Sequence, residues 1–303
     1  MNNTVAVTGG TGFIGKHILA NLLSRGFTVR ALTRTPRSDS DQHITWVHGS
    51  LEDRNSLAEL VKGARYIVHG AGQVRGHTEE VFTRCNVMGS LRLLQAAKEG
   101  GCCERFLFIS SLAARHPELS WYANSKYIAE QKLAAMSSGI SLGIFRPTAV
   151  YGPGDQELKP LFDWMLRGIL PQLSTAETKL SFIHVIDLAL AVTQWLSCEA
   201  PQARIYELCD GTESYSWKQL QEIATEARNG PVRLVSVPLY LLQLIADIST
   251  RLSQLAGKEP MLTREKIGEL THADWSVNIN NAVDDFNWSP GISLTHAFHH
   301  RLF

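Results

Sequence analysis

Short apolar runs alternate with amphipathic segments along the first half of the chain. The runs have the length of buried strands, and between them apolar residues recur at the three- and four-residue spacing of a helix. Strands are predicted at 5–7, 28–33, 44–47, 66–69, 105–109 and 141–145, and helices at 14–24, 57–62, 79–98 and 121–137. Such strict alternation is typical of an α/β fold built on a doubly wound parallel sheet of the Rossmann type.

This alternation loosens after a cluster of prolines and glycines at 147–154, beyond which helical patterns dominate. We therefore predict a first domain over 1–154 and a smaller C-terminal lobe over 155–303. Segments near 183–191 and 204–209 are expected to return to the main sheet.

A strongly apolar helix is predicted over 237–256, although it contains Asp247 and Arg251. These charges interrupt it too much for a bilayer-spanning helix. We expect it to be buried in the second lobe. A peripheral membrane contact and a lid over an apolar substrate are the alternatives.

Composition narrows the class of protein. The chain has 303 residues, 44% of them hydrophobic, and 29 basic residues balance 29 acidic ones. The absence of a basic excess argues against a nucleic-acid partner. The five cysteines show no metal-ligand spacing, so we expect no metal site and reduced thiols in a cytoplasmic protein. Neither a signal peptide nor an apolar run long enough to span a bilayer is expected.

A glycine-rich turn joins the first predicted strand to the first predicted helix. Gly10, Gly12 and Gly15 satisfy GxGxxG, and Gly9, Gly12 and Gly15 satisfy GxxGxxG. Glycines at this spacing allow a tight turn, close approach of the backbone to a pyrophosphate, and packing of the helix on the strand. The sequence therefore predicts a dinucleotide at the helix N-terminus. The domain over 1–154 is then a dinucleotide-binding Rossmann domain, and the lobe over 155–303 is expected to be mainly substrate-binding.

The end of the second strand bears on the choice of dinucleotide. An acidic residue there binds the ribose 2′-hydroxyl of NAD, whereas arginine accommodates the 2′-phosphate of NADP. Arg34 follows this strand, with Arg37 nearby, while Asp39 lies past Pro36 and is too far along. We expect NADP, with NAD as the alternative.

Tyr122 and Lys126 are four residues apart on a predicted helix and therefore share one face. The lysine ammonium is expected to lower the pKa of the phenol from about 10 toward neutrality, which suits proton transfer to a carbonyl. Ser110 and Ser111 end the preceding strand, where a hydroxyl would bind the substrate oxygen. The YxxxK pattern alone is weak, and its position after the fifth strand gives it weight.

With these motifs the chain resembles the extended short-chain dehydrogenase/reductases. That family includes NAD(P)-dependent epimerase/dehydratases, 3β-hydroxysteroid dehydrogenases and dihydroflavonol reductases. The matching segments read TGGTGFIG from Thr8, NVMG from Asn86, SS from Ser110, RPTAVYGPG from Arg146 and FIHVIDLA from Phe182, followed by Trp275, Trp288 and Pro290.

The resemblance implies roles for individual residues. Ser111, Tyr122 and Lys126 would be catalytic, and Asn86 would organise the lysine and a water. Helices 79–98 and 121–137 would form a homodimer through a four-helix contact. The implied cofactor contacts are Gly9, Thr11, Gly12, Phe13, Ile14, Gly15, Arg34, Ser50, Leu51, Gly70, Ala71, Tyr122, Lys126, Pro147 and Val150.

Three departures from the family pattern bear on the substrate. Ser50 stands where many members have an aspartate near the adenine. The link from Ser111 to Tyr122 is short, so its substrate contacts are reduced. Residues 179–181 read Lys-Leu-Ser where members acting on sugar nucleotides often have an arginine.

These features favour an NADP-dependent oxidoreductase that interconverts a secondary alcohol and a ketone on a hydrophobic small molecule, such as a sterol, flavonoid or polyketide. A nucleotide-sugar epimerase or dehydratase with tightly bound NAD(P) is one alternative. A dinucleotide-binding subunit without activity is the other.

Overall fold

Most of the chain is described by a computed structural model. The described residues are 3–37, 43–175, 177–200, 202–255 and 263–303. Asp39, which the sequence placed too far along for a cofactor contact, lies outside them, as does the last residue of the predicted helix 237–256.

The described residues form eleven strands. Their bounds are β1 (Thr4–Thr8), β2 (Thr28–Thr33), β3 (Ile44–His48), β4 (Tyr66–His69), β5 (Arg105–Ile109), β6 (Ser141–Pro147), β7 (Ala149–Tyr151), β8 (Ile169–Gln172), β9 (Phe182–His184), β10 (Ile205–Leu208) and β11 (Arg233–Ser236). Seven of them form one parallel sheet in the order β10-β6-β5-β4-β1-β2-β3. This confirms the predicted Rossmann-type α/β fold.

Helices cover both faces of this sheet and build the second lobe. Their bounds are α1 (Phe13–Ser24), α2 (Arg54–Val61), α3 (Glu79–Phe82), α4 (Gly89–Gly100), α5 (Trp121–Met136), α6 (Lys159–Leu166), α7 (Val185–Ser197), α8 (Trp217–Arg228), α9 (Leu239–Leu255), α10 (Arg264–Thr271), α11 (Asn280–Phe286) and α12 (Leu294–His300). The helix predicted over 79–98 is interrupted, because a π-helical segment, Thr83–Met88, separates α3 from α4.

The core has two layers because successive side chains of a strand point to opposite faces. Val5 and Val7 of β1 pack in the layer that includes α1 and α7, where Trp195 is fully buried. Ala6 packs in the opposite layer with α2, α4 and α5. The strand order reverses between β1 and β4, and in such sheets ligands bind at the carboxyl ends of the strands at this point.

The second lobe has its own core around Tyr151, Phe162, Trp217 and Phe298. Two parallel two-stranded ribbons, β7–β9 and β8–β11, contribute to it. Of the two segments expected to return to the main sheet, the one near 204–209 joins it as β10, whereas in the one near 183–191 β9 pairs with β7 instead and α7 follows. The division of the chain at residue 154 stays a prediction.

The expectation that the apolar helix near residue 240 is buried is wrong. In α9, Leu242 and Ala246 are buried and pack with Ile267 of α10. The next turns leave apolar side chains in solvent, among them Leu244 and Ile248. Helical spacing identifies an apolar face but not what covers it. Among the described residues, none of the helices combines the length and apolarity needed to cross a membrane.

Candidate active site

The glycine turn lies against the end of β4. Gly9 has a φ of +76°, which favours glycine, and a Cβ there would lie 2.6 Å from the amide nitrogen of Ala71 and 2.7 Å from the carbonyl oxygen of Gly70. A Cβ on Gly15 would lie 2.0 Å from the carbonyl oxygen of Gly9. The first glycine therefore permits the turn, and the last lets α1 approach it.

Helix α1 begins with an open N-terminus. Gly12 is its N-cap, so no side chain caps it, and no acidic residue stands in its first turn. The backbone amides at this helix end, which includes Phe13 and Ile14 and follows Thr11, have no capping side chain and can bind a phosphate. The turn and helix end therefore fit the pyrophosphate of a dinucleotide.

A loop that follows β7 covers the start of α1. His17 Nε2 lies 2.9 Å from the carbonyl oxygen of Pro153, and Gly154 lies beside the Phe13 ring. Pro147 ends β6 and is buried, whereas Val150 in β7 is half-buried. The segment that the resemblance assigns to the nicotinamide thus lies at the same sheet edge as the glycine turn.

Arg34 is exposed just beyond the end of β2 and makes no ion pair with any residue in the described ranges. Arg37 is held differently, because its guanidinium stacks over the Trp46 ring at 4.8 Å. The Arg34 guanidinium is therefore open to solvent beside the end of β2.

The proposed adenine side contains Ser50 and Leu51. The Ser50 hydroxyl accepts a hydrogen bond from the Glu52 amide at 3.2 Å. Leu51 packs against the start of α4, where a Cβ on Gly89 would lie 2.8 Å from its Cδ1. The glycine of the NVMG segment is thus needed for this close packing.

A directional chain of hydrogen bonds joins the end of β1 to the π-helical segment. Because the Ser90 hydroxyl donates to the carbonyl of Asn86, it accepts from Nε2 of His69 at 2.8 Å. His69 Nδ1 then accepts from the Thr8 hydroxyl, which itself accepts from the Ala71 amide. Burial, and to a smaller extent the charge of Lys126, lowers the pKa of His69 to about 3, so this histidine is neutral.

Asn86 uses both ends of its buried amide. Its Nδ2 donates to Ser125 Oγ at 2.9 Å and to the Gln73 carbonyl at 3.0 Å, while its Oδ1 accepts from the Gln73 amide at 2.7 Å. A Cβ on Gly72 would lie 3.2 Å from Asn86 Oδ1 and 3.1 Å from Lys126 Nζ. Gly72 and Gln73 are not among the sequence-predicted site residues, although a further glycine after the fourth strand was a usable signal.

Lys126 is 4% exposed. Its Nζ donates to the Ile109 carbonyl at 2.9 Å and lies 4.7 Å from the Phe108 ring centre. Burial lowers the pKa of Lys126 to about 8. The structure thus brings Lys126 and Asn86 together at the ends of β4 and β5.

Tyr122 stands one helical turn before Lys126 and is partly buried. Burial raises the pKa of its phenol, and the hydrogen bond from Ser111 and the charge of Lys266 offset this only in part. The prediction that Lys126 brings this pKa toward neutrality is wrong, because burial dominates and the Lys126 ammonium is bonded to Ile109.

Ser111 lies beside Tyr122 and begins the short link to α5. Its hydroxyl accepts a hydrogen bond from the Ala113 amide at 3.2 Å and caps a 3-10 turn, Leu112–Arg115. A second 3-10 turn, Pro117–Leu119, completes the link. The two compact turns explain how so few residues connect the serine to the tyrosine.

A second cation approaches Tyr122 from the C-terminal lobe. Lys266 Nζ lies 5.7 Å from the centre of the Tyr122 ring and 2.6 Å from Glu269 Oε2. The Ser120 hydroxyl donates to Glu269 Oε1 at 2.5 Å and also caps α5, where it accepts from the Ala123 amide. Spacing within the sequence carries no signal for this contact, because it depends on how α10 packs.

The chain is similar to known proteins of one family. The model of the NAD dependent epimerase/dehydratase family matches residues 5–209. A ceramide reductase of Caulobacter vibrioides is 34% identical over 277 residues, covering 90% of this chain and 85% of that protein. A 2-alkyl-3-oxoalkanoate reductase of Stenotrophomonas maltophilia is 27% identical and covers 96% of both chains.

Solved structures show the same fold at lower identity. The UDP-glucose 4-epimerase of Thermus thermophilus, in complex with NAD, superposes with a TM-score of 0.72 at 21% identity, covering 98% of this chain and 96% of that one. Since the family model matches most of the chain and a relative above 30% identity aligns along nearly all of it, this protein belongs to the NAD-dependent epimerase/dehydratase family, as an NAD(P)-dependent oxidoreductase of the extended short-chain dehydrogenase/reductase type.

Proposed function

We propose that the protein is an NADP-dependent reductase that interconverts a ketone and a secondary alcohol on a hydrophobic small molecule. One observation carries this proposal: the Ser111 hydroxyl bonds the Tyr122 phenol, and Lys126 Nζ bonds the Ile109 carbonyl, at the sheet edge that also holds the glycine turn. A hydroxyl donor, a phenol and an ammonium at that edge are the groups that carbonyl reduction needs.

The side chains of the protein would contribute proton donation to the reaction. The raised pKa keeps Tyr122 protonated near neutral pH, so its hydroxyl is a general acid toward a ketone oxygen. Ser111 would orient that oxygen by a second hydrogen bond. Lys126 would bind a ribose hydroxyl of the cofactor, with Asn86 holding the neighbouring loop in place. When bound, the nicotinamide supplies the hydride.

The choice of NADP rests on Arg34. Its exposed guanidinium lies beyond β2, where a 2′-phosphate would be placed, and bidentate pairing of arginine with phosphate is strong. The glycine turn and the open N-terminus of α1 would hold the pyrophosphate, and Ser50 would serve the adenine side.

The hydrophobic substrate is supported by the relatives and by the structure. Both reductases described above are named for lipid substrates. Lys179, in the stretch where relatives acting on sugar nucleotides often have an arginine, is paired with Asp274 at 3.2 Å.

An epimerase or dehydratase acting on a nucleotide sugar with tightly bound NAD(P) is the second candidate. The family description and the fold of the Thermus thermophilus epimerase favour it. Lys179 and its ion pair weigh against it. The assembled serine, tyrosine and lysine weigh against a subunit without activity.

We also propose a homodimer formed through α4 and α5, in the cytoplasm. Met88, Tyr127 and Met136 are exposed apolar side chains on and beside these two helices. The described cysteines are all free, as expected in a reducing compartment.

The first test replaces the general acid. Tyr122→Phe should abolish NADPH-dependent reduction across a panel of long-chain ketones while NADP affinity stays nearly unchanged, because the ring remains and only the proton-donating hydroxyl is lost. Tyr127→Phe, on the exposed side of the same helix, is the matched control and should keep full activity. Turnover retained in Tyr122→Phe would contradict the mechanism.

The second test concerns the cofactor. Arg34→Ala should weaken NADP binding by roughly tenfold or more, in line with the loss of a charge-assisted pair, and should leave NAD binding nearly unchanged. Affinities measured by the quenching of intrinsic fluorescence would show this. Equal losses for the two dinucleotides would overturn the assignment.

A further inference from the structure

Helix α9 exposes a continuous row of large apolar side chains. Leu241, Leu244, Ile245 and Ile248 are 38%, 53%, 45% and 49% exposed. Their spacing of three and four residues places them on one side of the helix, and we call this row the apolar stripe. A stripe of this kind normally faces a core.

The stripe is not the side by which α9 packs on the protein. Leu242 and Ala246 form that side, against Ile267 of α10. Gln243 is exposed and, with Asp247, occupies a third, polar side. Among the residues that the structure describes, α9 therefore packs on the protein through the Leu242 side and not through the stripe.

Neighbouring residues enlarge the exposed apolar surface. Leu239 and Tyr240 precede the stripe on α9, and Tyr240 is 72% exposed. Leu234 and Val235 of β11, the strand just before α9, are also exposed. Contiguous surfaces of this kind mark interaction sites, and tyrosine suits the boundary between lipid and water.

Charge indicates which partner the surface fits. Arg167 and Arg233 are both exposed and lie together at the start of the β8–β11 ribbon, where the Arg233 amide donates to the carbonyl of Gly168. The stripe itself contains no charged residue, and Asp247 lies off it. An exposed apolar surface with two exposed arginines on the ribbon that leads into α9 complements a lipid surface with anionic headgroups.

We propose that α9 lies in the surface of a bilayer that contains anionic phospholipid, with the apolar stripe inserted among the acyl chains and Arg167 and Arg233 at the headgroups. Helix α10, which packs on α9, carries Lys266 and Glu269 beside Tyr122. Docking through α9 would therefore hold the site close to the phase in which a hydrophobic substrate dissolves. This inference goes beyond the proposed activity and is tested without turnover.

The test is flotation of the full-length protein with vesicles. Wild type should float with phosphatidylcholine vesicles that contain roughly 30% phosphatidylglycerol, a level that gives a strong negative surface potential. Leu244→Glu and Ile248→Glu should each reduce the bound fraction at least roughly tenfold, because a carboxylate would have to enter the apolar layer. Both positions are exposed, so the fold should be unaffected.

Gln243→Glu is the matched control, because it adds the same charge to the exposed polar side of the same helix. It should bind vesicles as well as wild type. Loss of binding in this variant as large as in Leu244→Glu would mean that net charge alone decides, and the insertion of the stripe would be refuted.

The contribution of the arginines is tested separately. Arg233→Glu should weaken binding to the anionic vesicles by roughly fivefold or more and should leave weak binding to pure phosphatidylcholine unchanged, since a basic residue near an anionic surface contributes about 1 kcal/mol. Equal binding of wild type to both vesicle types would refute the electrostatic part.

A second copy of the chain is the competing occupant. If wild type does not float with either vesicle and light scattering shows a dimer that Leu244→Glu dissociates, the membrane inference is overturned. Because these measurements need neither cofactor nor substrate, an inactive protein that floats would contradict the proposed function alone.

Discussion

A buried ammonium controls the pH behaviour expected of the site. Burial lowers the pKa of Lys126 to about 8, whereas burial raises the pKa of Tyr122, which therefore stays protonated over the same range. As pH rises through about 8, the free enzyme loses the positive charge of Lys126 and keeps the proton of Tyr122. We predict that kcat/KM for NADPH falls above that pH, because the ammonium that would bind the ribose is lost.

Initial rates measured with a water-soluble ketone from neutral to strongly alkaline pH would show this fall. Lys132→Met, on the exposed side of the same helix, should leave the profile unchanged. A profile flat to the alkaline end would mean that Lys126 stays charged or takes no part.

At the scale of residues, the sequence predicted which functional groups lie together on one helix or one turn. Tyr122 and Lys126 are one helical turn apart, so their spacing alone places them on one face. The pKa of Tyr122 could not be predicted, because it depends on burial by other elements. Lys266 could not be predicted either, because only the packing of α10 brings it to the phenol.

At the scale of elements, a buried ion pair joins α5 to β6. Glu130 is 1% exposed and accepts hydrogen bonds from Arg146 Nε at 3.0 Å and Nη2 at 2.5 Å, and also from Ser110. Glu207 of β10 extends the pair from the other side of Arg146. The helix that carries Tyr122 is thus fastened to the sheet by charge as well as by apolar packing.

Arg146→Met should lower the free energy of unfolding by about 3 to 5 kcal/mol near neutral pH, because it leaves the Glu130 carboxylate buried and unpaired. Urea unfolding followed by circular dichroism would measure this. The double variant with Glu130→Met should recover much of the loss. Arg54→Met breaks the exposed pair with Glu99 and should cost at most about 1 kcal/mol, so a similar loss in both single variants would contradict the role of burial.

The periodicity of apolar residues predicted where helices and strands lie better than it predicted what packs against them. It placed α5 and the strands near their observed bounds, yet it gave one continuous helix where the π-helical segment carries Asn86. It also gave α9 as a helix but assigned it to the interior. The reason is the same in both cases, since spacing reports which residues share a face and contains no information on the partner of that face.

At the scale of the whole molecule, the alternation of strands and helices predicted a doubly wound parallel sheet, because right-handed crossovers leave few topologies. The strand order itself comes from the structure. The sequence predicted that a segment near 204–209 returns to the main sheet, where β10 now pairs with β6. It did not predict which residues of the two strands pair. The second lobe was harder to predict, since its two ribbons pair strands that lie far apart in the chain.

The two candidate functions differ in how the whole protein holds its dinucleotide. A reductase must exchange its cofactor in each turnover, whereas an epimerase of this family would keep it bound. Ligand that binds only the folded state stabilises it by about 2.7 kcal/mol at a concentration of roughly 100 times Kd. For a chain of this size that corresponds to a rise in Tm of roughly 4 °C.

We therefore predict that NADPH at saturating concentration raises the Tm of the purified protein by roughly this amount and that NADH at the same concentration raises it less, because NADH has no 2′-phosphate for Arg34. Differential scanning fluorimetry would measure both shifts, and Arg34→Ala should bring them together. Release of stoichiometric NAD on heat denaturation, with no response of Tm to added NADPH, would replace the reductase proposal with the epimerase one. The position of Tyr122 at the sheet edge would remain the same under either outcome, so this exchange of cofactor, more than the catalytic residues, separates the two activities.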